Sequence, residues 1–71
     1  MKRYITEKAI DGVIQLYRHA REEEAKSTTN FNAEYWKGKH FAIIDTFSVL
    51  TEMQWPAAET LLSRRAYPRN E

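Results

Sequence analysis

From Trp36 to Gln54 one spacing recurs. Trp36, His40, Ile43, Phe47, Leu50 and Gln54 follow one another at steps of four, three, four, three and four. Because an α-helix completes a turn in 3.6 residues, those positions fall on one stripe. At about 100° per residue, Ile44 widens the stripe on one side, and Met53, Ala42, Val49 and Tyr35 widen it on the other. The apolar arc then covers roughly 220°, against somewhat over about 100° for an ordinary surface helix. A single packed neighbour cannot cover such a helix. It needs cover from at least two directions.

The rest of the chain offers little from which to build that cover. Seventy-one residues make one domain, 1–71, near the lower limit for an independent core. Chains this small usually rely on disulfides, a metal, oligomerisation or very regular helix packing. There is no cysteine, so disulfides and thiolate metal sites are excluded, leaving helix packing or self-association. Eleven Lys and Arg against ten Asp and Glu leave a net charge of +1, too balanced to imply nucleic-acid or membrane binding by charge alone. The apolar runs are too short for a membrane span or a signal-peptide core. The expectation is a cytoplasmic protein without a membrane segment.

Three helices follow from the local signals. The first is expected from about Thr6 to Lys26, with Thr6 as N-cap and Glu7 near the positive end of the helix dipole. Its inner face would be Ile10, Val13, Ile14, Tyr17 and Ala20. A polar connector, Ser27 to Asn32, leads to a second helix over about 33–54, with Asn32 as N-cap and a Phe31–Trp36 hydrophobic staple. So short a connector folds two long helices back as an antiparallel hairpin. Trp55-Pro56 breaks the chain, because proline disfavours α geometry in the residue before it yet suits a first helical position. A short third helix over about 56–66 follows, then a flexible tail, 68–71.

Few residues could carry chemistry. His40 lies within the apolar stripe and is expected at the edge of the core or an interface, making one hydrogen bond. The Glu-x-x-His spacing of carboxylate-bridged metal bundles is absent, since Lys37 stands three residues before His40 and Leu16 three before His19. His19 and Glu23 have metal-compatible spacing but no third ligand. The carboxylates of Glu22-Glu23-Glu24 point about 100° apart and cannot converge on one ion; Glu24 should pair with Arg21 or Lys26. Phe41 stands off the main stripe among Gly38, Asp45, Ser48, Glu34 and Glu52, which points to contact with the third helix or another subunit. Gly12 and Gly38 are positions where a backbone could approach closely. Nothing has the order of a catalytic triad, a phosphate loop or a converging carboxylate pair. No enzyme activity, metal or cofactor is expected.

The segment Ala33-Glu34-Tyr35-Trp36-Lys37-Gly38-Lys39, followed by Ala42 and Asp45, resembles a pattern in small helical-hairpin proteins of bacteria and their prophages. The resemblance covers roughly residues 6 to 54. It implies a hairpin and self-association, and transfers no functional residue. The Trp-Pro break and the arginine-bearing third helix lie outside that pattern.

The fold expected is therefore all-α: a long antiparallel helical hairpin plus a short third helix, assembling as a dimeric four-helix-type bundle. The core or interface candidates are Trp36, His40, Phe41, Ile43, Ile44, Phe47, Leu50, Leu61 and Leu62. The centre is expected at Trp36, Ile43, Phe47, Leu50, Ile10, Val13, Ile14 and Tyr17. The leading function is a non-catalytic protein–protein interaction module or regulator, homodimeric, with another protein as a further candidate partner. The alternative is a nucleic-acid-associated protein using Lys2, Arg3, Arg64, Arg65 and Arg69, with Tyr67 as the interleaved aromatic. A carrier of small ligands between the helices is a third reading.

Overall fold

The computed structural model of the chain describes residues 6–68. Over that span it is all-helical, with α1 at Glu7–Lys26, α2 at Asn30–Thr51 and α3 at Trp55–Ala66. Thr6 caps α1, its hydroxyl accepting from the Ala9 N–H at 3.1 Å. Lys26 stands in the last turn, where its charge suits the negative end of the dipole.

α2 begins three residues before the expected start. Thr29, not Asn32, is its N-cap, because the Thr29 hydroxyl accepts the N–H of Asn32 at 3.1 Å. Phe31 thus lies inside the helix and is 80% exposed, so it forms no staple with Trp36. The other end also differs from the expectation. α2 stops at Thr51, and Glu52 takes a left-handed conformation at φ 56°. The Ser48 hydroxyl donates to the Met53 carbonyl at 2.7 Å and the Met53 N–H to the Ser48 carbonyl at 3.1 Å. These bonds fix the direction in which the chain leaves α2. Trp55, not Pro56, then opens α3.

The hairpin is antiparallel: Tyr17 meets His40 while His19 meets Trp36, so numbering falls along one helix as it rises along the other. α3 lies across this pair. It starts against Phe41 and Asp45 of α2 and ends against Glu7, Asp11 and Arg18 of α1. The core is Ile14, Tyr17, Ile44, Phe47, Ala58, Leu62 and Ala66, with Ile10, Val13, Ile43, Met53, Trp55 and Leu61 packed around it.

The buried line of α2 is therefore His40, Ile44 and Phe47, rotated from the stripe expected through Ile43 and Leu50. Leu50 is 40% exposed and Gln54 lies outside the helix. The rotation has a physical cause. α1 covers the middle of the broad arc, and α3 covers the side of Ile44 and Phe41, leaving the other side without cover. Trp36 is likewise only half-buried. Neither glycine draws a backbone close, since a Cβ at Gly12 or Gly38 would meet nothing within 4 Å.

Candidate interaction surface

Among the described residues, no group of three or more His, Asp or Glu side chains could hold a metal ion, and no helix is long and apolar enough to cross a membrane. His19 turns its ring edge-on to Trp36, with centroids 5.4 Å apart, and Glu23 pairs with Lys26 at 3.1 Å. The two do not form a ligand pair. A depression of about 310 Å³ lined by Gln15, Arg18, His19 and Glu22 lies open on the outside of α1. Its lining is polar and offers no apolar enclosure for a small ligand.

Among the described residues His40 is the one buried polar side chain. Its Nδ1 lies 2.9 Å from Glu24 Oε1, a close polar contact without hydrogen-bond alignment, and neither buried atom has a hydrogen-bond partner among the described residues. Glu24 therefore pairs across the hairpin, not with Arg21 or Lys26 as expected. Arg21 instead donates to the Tyr17 hydroxyl at 2.6 Å. The His40 ring also lies 4.4 Å from Phe41, and Tyr17 meets it edge-on at 5.9 Å. This arrangement ties α1 to α2. It presents no reactive group to solvent.

The arginines of α3 are differently placed. Arg65 reaches Glu7 at 3.4 Å and Asp11 at 3.7 Å, so acidic side chains of α1 already surround its charge. Arg64 is exposed in the last turn. Lys2, Arg3 and Arg69 lie outside the described residues. Tyr67 packs beneath Arg18, whose guanidinium lies 5.7 Å from the ring centroid. Burial, with Glu22 as a second contributor, raises the Tyr67 phenol above its ordinary value of 10.0.

What remains is the apolar side of the hairpin that α3 does not cover. On α1, Glu7, Asp11 and Arg18 mark the side that meets α3. At about 100° per residue, Leu16 stands on the other side, beside Val13 and Ala20, and is 60% exposed. On α2 the α3 side is marked by Phe41, Asp45 and Ser48. Across the helix from it stand Tyr35, Ala42, Thr46, Val49 and Leu50, with Ile43 and Trp36 at the edge of the core. Val49 is 64% exposed and Tyr35 52%. Single exposed apolar residues are commonplace, but a row of them along one flank is the pattern of a contact surface. Comparison with known protein families, curated proteins and solved structures finds no match for this chain. The surface itself must carry any functional reading.

Proposed function

We propose that this chain is a small, non-catalytic interaction module that works by pairing its open hairpin flank with another protein surface, a second copy being the first partner. One observation carries the reading: the flank of α2 turned away from α3 exposes Tyr35, Val49 and Leu50, interrupted by Lys39 and Thr46, and α1 exposes Leu16 on its side away from α3. Two hairpins placed flank to flank would make a four-helix core, with α3 of each copy on the outside. Burying apolar area returns about 25 cal/mol per Å², so such a surface favours association. The arginine-cluster reading has less support, because Arg65 is engaged by two carboxylates within the fold.

Molar mass by light scattering over a wide concentration range tests the proposal. The native chain should move from one copy to two as concentration rises. Val49→Glu should keep the native helical content and stay at one copy, because it places an unpaired charge on the flank at a position outside the core. A native chain with single-copy mass throughout, or a Val49→Glu variant that associates like the parent, would contradict the proposal.

A further inference from the structure

His40 holds a position of α2 that an aliphatic side chain would fill more simply. It stands one turn before Ile44 on the buried line of the helix and is 6% exposed. Burying a polar group costs energy unless a partner compensates. The fold brings Glu24 across from the last turn of α1. The two atoms that face each other, His40 Nδ1 and Glu24 Oε1, are 2.9 Å apart and buried, with no hydrogen bond between them or to any other described residue. Where alignment is missing, charge decides whether such a contact attracts. A carboxylate against an uncharged imidazole is a buried anion with little compensation. Against an imidazolium it forms an ion pair, whose Coulomb attraction needs no alignment.

We propose that this pair is a proton-operated clasp between α1 and α2, which tightens the hairpin when His40 takes up a proton and slackens it when the proton leaves. The clasp lies within one copy of the chain, so it does not depend on the self-association proposed above. An imidazole exchanges its proton near neutrality, which no other side chain of this core does. On α1, Tyr17 presents its ring edge to the imidazole at 5.9 Å, and its hydroxyl engages Arg21 at 2.6 Å. On α2, Lys37 lies 3.9 Å from Glu34, and Lys39 stands 5.5 Å from the Tyr35 ring. α3 reaches this stretch through Trp55, which meets Phe41 and Asp45; Glu59, one turn on, is the only charge in the first half of α3. Arg21, Lys37 and Lys39 are exposed and screened by solvent. Glu24 touches the ring through a buried atom, so its charge outweighs theirs. The sign follows: an attraction present only with the charged imidazole adds stability below the imidazole range and is lost as pH rises through it. Because Glu24 must stay ionised, the effect fades again near about pH 4.

Thermal melting followed by circular dichroism between about pH 5.5 and about pH 8 tests the clasp, at two protein concentrations so that association is separated from it. The native chain should melt a few degrees higher at the acid end, equally at both concentrations. Glu24→Gln keeps the size of the side chain and removes its charge, and should abolish that rise. His19→Gln alters the other imidazole of the chain, which is exposed, and should keep it. Ring proton–carbon spectra of His40 give a readout that a merely packed side chain would not move: its titration should shift to lower pH in Glu24→Gln. A native melting point that is flat across this window, a rise that survives Glu24→Gln or vanishes in His19→Gln, or a His40 titration indifferent to Glu24→Gln would overturn the proposal. A rise confined to the higher concentration would overturn it too, because the proton would then act on association.

Discussion

The two flanks of α2 make an instructive pair. The flank beneath α3 is mixed in character, holding Phe41, Asp45 and Ser48, whereas the flank facing away holds Ala42, Thr46, Val49 and Leu50. Hydrophobicity alone would send the third helix to the second of these. It goes to the first because chain geometry decides the matter before burial can. Ser48 bonds to Met53 at the turn, Glu52 adopts a left-handed conformation, and the Trp55 indole donates to Asp45 at 2.7 Å. Those contacts aim α3 across the polar-flecked side, where Phe41 and Ile44 still give it something apolar to cover. The lesson is that a broad apolar helix does not choose its own neighbours. The connection does, and what the connection leaves bare becomes available for another molecule.

The largest test of this contrast removes a side chain from each flank's shared core. Phe47 is 1% exposed, so Phe47→Ala should cost about 3–5 kcal/mol and leave so small a domain largely unfolded by circular dichroism. Retention of the parental melting curve would mean that the core is elsewhere. Next in size is the turn that directs α3. Ser48→Ala removes the hydroxyl from a part-buried carbonyl and should cost about 1 kcal/mol in chemical denaturation; an unchanged midpoint would show that the turn is set by something else. Comparable in size but opposite in sign, Gly12→Ala and Gly38→Ala should each stabilise the fold by about 1 kcal/mol, because both sites are open and neither backbone needs a positive φ. Loss of stability in either variant would reveal a contact made only in the assembled state.

The smallest effect concerns the far end of α3. The Tyr67 phenol is raised by burial above 10.0, so the neutral form is favoured in the folded chain. The sign follows: stability present below the unfolded value is lost as pH rises through the folded one. Alkaline melting should therefore be slightly steeper in pH for the native chain than for Tyr67→Phe. Identical profiles would place Tyr67 in solvent, away from Arg18 and α1.

How much of this was legible in the sequence depends on how local each signal is. The all-helical class is, since a 3.6-residue rhythm needs no partner to be seen. The Thr6 cap is legible for the same reason. The start of α2 is not, because Thr28, Thr29, Asn30 and Asn32 are all competent caps and only the structure shows which hydroxyl reaches which N–H. The pairing of His40 with Glu24 depends on hairpin register, which no residue near either one encodes. The side chosen by α3 depends on a left-handed Glu52, a conformation that a non-glycine residue rarely adopts and that no local signal announces. The exposed flank was visible as surplus apolar width; its position on the finished molecule was not.

The central claim is that one flank of α2 is core and the other is a surface for association. Proton–nitrogen correlation spectra recorded through a dilution series test it residue by residue. The account predicts that amide shifts move with concentration at Ala42, Ile43, Thr46, Val49 and Leu50 and stay fixed at Ala58, Leu62 and Ala66. Spectra that do not change with dilution, or shifts that move along α3 instead, would contradict it.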